Sequence, residues 1–386
     1  MSNRLLFVTP SFRNGGTTSC LKSLVPFLVK NGYDLSLLPL SQEGPNRDYL
    51  SNYCHILSFT SNNDTKNIAG DGLLIKVARR AKHLFSCIGI DISKRGFMPI
   101  VNRLKKESFD YIIAFQEETA SYFVSLFGTN NLIGWVHCDY SRVINSRNFK
   151  RENSVYGSFK NIVFVSNYTR DRFVEQMPAF ATKTQVIHNF IDYNKIRSLS
   201  IASSKSIIPP SGKTIIVSMG RLDPVKRFTS IPKIYNDIAS DGVDVIWYII
   251  GGGNKEEEIR IKEEIKRKRY EDRIVMTGNL DNPFPLMKLA KYYVCTSVSE
   301  AYPNVVREAL ALGIPSIVTD FGSSKEVVED SVTGIICPLE SIARNIVHLE
   351  KNPQEYDRLR NNCLSASNEN DVISKQLLSL FDRKEQ

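Results

Sequence analysis

The sequence predicts an α/β protein built from two doubly wound, parallel-sheet domains. Three observations carry that reading. At 386 residues the chain exceeds what one hydrophobic core usually organises. Short apolar runs rich in Val, Ile and aromatic residues alternate with helical patterns along its length. A Ser- and Pro-rich stretch, SLSIASSKSIIPPSGK at 198–213, has no sustained periodicity and divides the alternation into two blocks.

In the first block the strands are RLLFVTP from Arg4, YDLSLLPL, FDYIIAF, NLIGWVH, NIVFVS and KTQVIHN, ending at Asn189. After Gly15-Gly16, Cys20, Leu21, Leu24, Val25 and Leu28 fall on one helical face. The second block opens with KTIIVSMG at Lys213 and continues through DVIWYIIGGG, RIVMTGN, YYVCTS, IPSIVTD and GIICP. Strands that alternate with helices imply parallel sheets with right-handed crossovers. The expected division is an N-terminal domain over 1–197, a C-terminal domain over 198–368, and a C-terminal helix over 369–386 that crosses back to the N-terminal domain. Ligands of such sheets gather at the carboxyl ends of strands, so the cleft between two facing domains is the expected site.

Composition excludes several classes. With 42% hydrophobic and 24% charged residues the chain is neither disordered nor membrane-spanning. No apolar run approaches the roughly 18 residues a spanning helix needs, and MSNRLLFVTPSF lacks a signal-peptide layout, so a cytoplasmic location is expected. The seven cysteines contain no C-x2-C pair and predict neither disulfides nor a zinc site. The net charge of +9 is concentrated in residues 71–106, where Lys76, Arg79, Arg80, Lys82, Lys94 and Arg95 are interleaved with apolar residues. That pattern suits an anionic membrane surface, where the protein would sit peripherally, or a phosphate-bearing partner; an ordinary solvated helix explains it as well. No motif for nucleic acid accompanies it.

The candidate site residues all follow predicted strands. Gly15 and Gly16 stand just before a helix, where glycine lets the backbone approach a ligand closely. In SMGRLDPVKRF, Arg221 lies on the turn and Lys226 near the next helix, with Pro224 opening it; two cations there suit a diphosphate, though solvated surface cations look the same in sequence. In SVSEAYPNVVREAL, Glu300 leaves a strand, Tyr302, Pro303, Asn304 and Val305 form a turn and helix N-terminus suited to a phosphate, and Glu308 sits one turn further on. A carboxylate there can accept hydrogen bonds from a vicinal diol, while Glu300 faces what lies beyond the phosphates. A capping glutamate plus a surface one is the plainer alternative.

The segment EAYPNVVRE at 300–308 resembles the E-x7-E motif of the retaining glycosyltransferases of family 4, the glycosyl transferases group 1 set, which have the two-domain GT-B fold. The Gly15-Gly16 loop, WVHCDY, VSNYTRDRF, VIHNFID, GRLDPVKRF, IIGGGNKEEEI and TDFGSSKEVVEDSVTGIICP follow in that family's order. The resemblance implies that Glu308 binds the nucleotide ribose, Glu300 contacts the donor sugar, Arg221 and Lys226 bind the diphosphate, and His137 faces the donor sugar. Two positions depart from the family pattern: Ala301 replaces a glycine, and the usual G-x-G-P loop reads Gly251-Gly252-Gly253-Asn254.

When a nucleotide sugar gives up its sugar the nucleoside diphosphate departs, so catalysis rests on stabilising that charge, for which Arg221, Lys226 and a helix N-terminus are suited. The sequence contains no D-x-D, so no cofactor and no metal are expected. The expected activity is a retaining, metal-independent hexosyl transfer from a nucleotide sugar, by expectation a UDP-sugar, to a glycan or lipid-linked acceptor in surface polysaccharide biosynthesis, such as capsule or lipopolysaccharide. The alternatives are a nucleotide-sugar epimerase or phosphorylase of the same fold, or a catalytically silent partner of another transferase. The joint presence of Arg221, Lys226, Glu300 and Glu308 argues against the last.

Overall fold

A computed structural model describes residues 3–41, 44–58, 92–144, 148–202, 212–366 and 369–382. The chain forms two compact units. The first comprises Met1–Val165, Thr169–Ile187 and Leu378–Gln386; the second comprises Ser166–Tyr168 and His188–Leu377.

The first unit is built on a seven-stranded parallel sheet: β1 (Arg4–Thr9), β2 (Asp34–Pro39), β3 (His55–Ile56), β4 (Tyr111–Ala114), β5 (Leu132–Val136), β6 (Asn161–Phe164) and β7 (Thr184–Val186). Its order is β3-β2-β1-β4-β5-β6-β7, so the winding reverses between β1 and β4. Apart from β3 and β7 the strands are almost wholly buried, which is why they read as continuous apolar runs. On one face Leu6, Val8, Ile112, Phe164 and their neighbours form the main core. On the other, Phe7 and Tyr111 meet Phe381 with ring centroids 6.3 and 5.7 Å apart, and Asn3 Nδ2 donates to the Phe381 carbonyl at 2.7 Å. The last residues of the helix Asn370–Phe381 therefore complete the first unit, and Phe381 is fully buried.

The second unit carries a six-stranded parallel sheet: β8 (Thr214–Met219), β9 (Val245–Ile250), β10 (Ile274–Gly278), β11 (Tyr292–Cys295), β12 (Ser316–Thr319) and β13 (Gly334–Cys337). The order β10-β9-β8-β11-β12-β13 puts its reversal between β8 and β11. A deep polar thread in its core is satisfied internally. Trp247 Nε1 donates to Ser218 Oγ at 3.1 Å, and that hydroxyl donates to the Val294 carbonyl at 2.7 Å, joining β9, β8 and β11.

The six cysteines among the described residues are thiols outside any disulfide. No helix among these residues is long and apolar enough to cross a membrane. Of the basic segment, Lys76, Arg79, Arg80 and Lys82 lie outside the described residues. Lys94 is exposed on the helix Ile92–Leu104, which also carries Arg95. On the same helix Phe97 turns inward, 5.1 Å from Phe123, so this apolar residue serves the core.

Candidate functional site

In open parallel sheets the crevice beyond the point where strand order reverses is the natural ligand site. In the second unit the segments leaving that point are Gly220–Phe228 after β8 and Thr296–Pro303 after β11. They are stitched together. Thr296 Oγ1 donates to the Lys226 carbonyl at 2.5 Å, and Val298 N to the Val225 carbonyl at 2.8 Å. Arg227 sends Nε to the Thr296 carbonyl at 2.7 Å and Nη2 to the Ser297 carbonyl at 3.0 Å.

Those bonds explain a departure from the sequence reading. Pro224 opens a 3-10 turn, Pro224–Lys226, and not the long helix, which begins at Ile231. Between them Arg227 adopts φ 51°, ψ 35°, the left-handed region that a bulky residue enters only when its surroundings enforce it. Its two carbonyl contacts on the neighbouring loop supply that constraint.

The stitched loops bring Lys226 Nζ onto Glu300 Oε1 in an ion pair whose side chains are 18% and 12% exposed. Ser297 Oγ donates to the same carboxylate oxygen at 2.6 Å, and Ser323 Oγ donates to the Glu300 carbonyl at 2.9 Å. Arg221 stands apart from this pair: its side chain is 66% exposed and its Nη2 lies 3.1 Å from Asp223 Oδ2. The glycine loop after β9 packs against its turn. Leu222 N donates to the Gly252 carbonyl and Asn254 N to the Leu222 carbonyl. Gly251 has φ +140°, and a Cβ there would lie 1.9 Å from the Gly220 carbonyl oxygen. The glycine at 251 is therefore dictated by close backbone approach.

Glu308 is half-buried, one turn into the helix Asn304–Ala311, whose N-terminus no side chain caps. Tyr302, Pro303 and Asn304 are buried and Val305 is half-buried. The side chains of Tyr302 and Asn304 turn inward, to His188 and Asn189 respectively, so what these two residues offer a ligand is backbone. Ala301 is not among the residues with positive φ, and alanine therefore fits where the family has glycine.

In the first unit, a Cβ on Gly15 or Gly16 would meet nothing within 4 Å, so packing within the chain does not demand glycine at the start of the helix Gly16–Lys30. His137 follows β5. Its backbone N donates to Glu117 Oε2 at 2.9 Å, its ring lies 4.7 Å from that of Phe115 and stacks on Trp135, and its buried Nε2 has no hydrogen-bond partner among the described residues. Burial pushes the imidazole pKa down to about 3, leaving it neutral. Glu117, 9% exposed, is itself pushed up by burial against the hydrogen bonds it accepts. The next residue, Glu118, has φ 61°, ψ −107°. Glu117 and this strained turn are site features that sequence reasoning missed; the only available signal was their position after β4, at the reversal of the sheet.

Residues 201–364 match the family model described as Glycosyl transferases group 1. These residues form a glycosyl transferases group 1 domain. The matched stretch contains Arg221, Lys226, Glu300 and Glu308, so the stitched loops lie inside the group 1 domain. The chain is 30% identical over 156 residues to N-acetyl-alpha-D-glucosaminyl L-malate synthase of Bacillus anthracis, covering 40% of each. It is 26% identical over 179 residues to a Campylobacter jejuni enzyme, N-acetylgalactosamine-N,N'-diacetylbacillosaminyl-diphospho-undecaprenol 4-alpha-N-acetylgalactosaminyltransferase, covering 46% of each. The chain thus spans less than half the length of either curated relative. In structure, Anabaena HepE in complex with UDP-glucose superimposes with a TM-score of 0.74 at 17% identity, over 97% of this chain and 99% of that one. The fold is GT-B, and the matched residues 201–364 lie within its second unit.

Proposed function

We propose that the protein is a retaining glycosyltransferase that moves a sugar from a UDP-sugar to a glycan or lipid-linked acceptor in surface polysaccharide synthesis. The observation that carries this reading is the Lys226–Glu300 pair, set where the group 1 domain's strand order reverses, with Glu308 on the helix that follows. The complex of HepE with UDP-glucose supports the donor class, and the diphospho-undecaprenol in the name of the Campylobacter jejuni relative supports a lipid-linked acceptor.

In this reaction the bond from the sugar's anomeric carbon to the donor diphosphate breaks and a bond from that carbon to the acceptor oxygen forms on the same face. The acceptor proton passes to the departing phosphate. Negative charge on the leaving group is met by Lys226 and Arg221 and by the N-terminus of the helix Asn304–Ala311, without a metal ion or other cofactor. Glu308 holds the ribose. Glu300, already paired with Lys226 and accepting a hydrogen bond from Ser297, orients the donor sugar. The basic residues of 71–106 would serve an anionic membrane surface on the cytoplasmic side.

The test is calorimetric binding of a panel of nucleotide sugars, followed by product analysis with a membrane extract as acceptor. Binding of a UDP-sugar and an α-linked product support the reading; failure of every nucleotide sugar to bind overturns it.

A further inference from the structure

Two consecutive residues, His188 and Asn189, grip alternate residues of the segment that follows Glu300. The imidazole of His188 stacks on the ring of Tyr302, with centroids 4.6 Å apart and planes inclined by 23°. Asn189 Nδ2 donates to Asn304 Oδ1 at 2.8 Å in a buried bond. Tyr302 and Asn304 flank Pro303, at the start of the helix that carries Glu308.

His188 is in turn held on both sides. Its Nδ1 lies 3.3 Å from Glu369 Oε2, and its Nε2 lies 3.5 Å from Glu326 Oε2, at ion-pair length. Glu326 is anchored by Asn167 N at 2.7 Å, Asn167 Nδ2 at 3.0 Å and Tyr168 N at 2.8 Å. Glu369 is approached by Arg307 Nη2 at 3.4 Å and by the Tyr302 hydroxyl at 3.5 Å. Four segments distant in sequence thus converge beneath one short loop, all within the second unit.

We propose that His188 is a positioning residue for donor binding: clamped between Glu326 and Glu369, it fixes Tyr302 and so the shape of the loop between Glu300 and the helix Asn304–Ala311. This rests on the reading of that loop as the donor site. A loop fixed before the ligand arrives loses less conformational freedom on binding, which appears as affinity. Imidazolium donates from both nitrogens and can serve both carboxylates, whereas neutral imidazole has one N–H and leaves one carboxylate facing a lone pair. The charged groups that face the ring are Glu326, Glu369 and, through Glu369, Arg307. Burial keeps the phenols of Tyr302 and Tyr193 protonated. Burial also opposes the charged imidazole, but the carboxylates of Glu326, at ion-pair distance, and Glu369, at hydrogen-bond distance, outweigh it and raise its pKa to about 8. At neutral pH the ring therefore attracts both carboxylates, and as pH rises through about 8 it keeps an N–H for only one.

The experiment measures UDP affinity by calorimetry between pH 6.5 and 9.5 for the wild type, His188→Gln, Glu326→Gln and Glu308→Ala. The wild type should lose about tenfold in affinity with a midpoint near pH 8, and His188→Gln should bind about tenfold more weakly at pH 7 without that step. The His188→Gln curve also removes any titration belonging to UDP or to lysines. Should His188→Gln not fold, Glu326→Gln carries the test, because losing one carboxylate must move the step to lower pH. A step that persists unmoved in both variants, or unchanged UDP affinity in folded His188→Gln, overturns the positioning role. Wild type that binds no UDP at any pH overturns the donor-site reading and this proposal with it. Loss of binding in Glu308→Ala alone leaves the donor site standing and overturns only the role of His188.

Discussion

Lys226 and Glu300, 74 positions apart, share one ion pair, and Ser297 donates a further hydrogen bond to the same carboxylate oxygen. Lys226→Ala should therefore cost stability as well as turnover, because it leaves a carboxylate that is 12% exposed without its cation. A loss of about 1–3 kcal/mol is expected in urea denaturation. Adding Glu300→Ala should recover part of it. A double variant no more stable than the lysine variant would show that the pair is not a unit.

Arg221→Ala should behave differently. With its side chain 66% exposed and paired only to Asp223 in the described structure, it should leave the urea midpoint nearly unchanged. Turnover should fall more than donor affinity, since leaving-group charge peaks in the transition state. Wild-type turnover at saturating donor would remove Arg221 from the diphosphate clamp. If the native protein turns over a UDP-sugar as proposed, that turnover should also persist in a chelator.

Glu308→Ala should weaken UDP binding about ten- to a hundredfold, from loss of about 1.5–3 kcal/mol in charge-assisted hydrogen bonds to the ribose. Uridine binding should fall in parallel, whereas affinity for inorganic diphosphate should not. Equal losses for all three would place Glu308 elsewhere than at the ribose.

Burial of His137 makes stability depend on pH. Its folded pKa, about 3, lies below the ordinary value of 6.5. Between those values the unfolded chain binds a proton that the folded chain refuses, so its contribution is full above pH 6.5 and is lost as pH falls towards 3. Urea midpoints of His137→Phe should decline less over that window than those of the native protein. Parallel decline in both would mean that His137 is not enclosed.

Gly251→Ala should be severely destabilising, because its Cβ would lie 1.9 Å from the Gly220 carbonyl oxygen and the backbone sits at φ +140°. Thermal melting should fall well below that of Gly242→Ala. Gly242 also has positive φ, but its Cβ meets nothing, so the difference isolates the close approach.

The strands of the second unit are legible in sequence because β9 and β11 are buried on both faces and leave unbroken runs such as VIWYII and YYVC. β3 is not, since His55–Ile56 is too short to show a pattern and joins the sheet only by pairing with β2. That Lys226 and Glu300 each follow a strand is legible in the alternation; that those strands are neighbours, and that the two residues pair, is not. The pairing depends on Arg227 entering the left-handed region to reach two carbonyls about 70 residues away, a tertiary cause that no local spacing encodes. The grip of His188 on Tyr302 is hidden for the same reason, although His188 and Glu326 lie in VIHNFID and TDFGSSKEVVEDSVTGIICP, two of the segments that follow the family's order.

Phe381, packed against Phe7, Tyr33 and Tyr111, has a consequence for dissecting the protein. The first unit is not a continuous stretch of polypeptide, so a fragment ending at Ile187 would leave an aromatic socket facing water and should be poorly soluble on its own. Supplied in trans, a peptide spanning residues 370–386 should rescue it. A split pair cut at the apparent boundary would therefore need residues 370–386 fused to, or supplied alongside, the amino-terminal fragment.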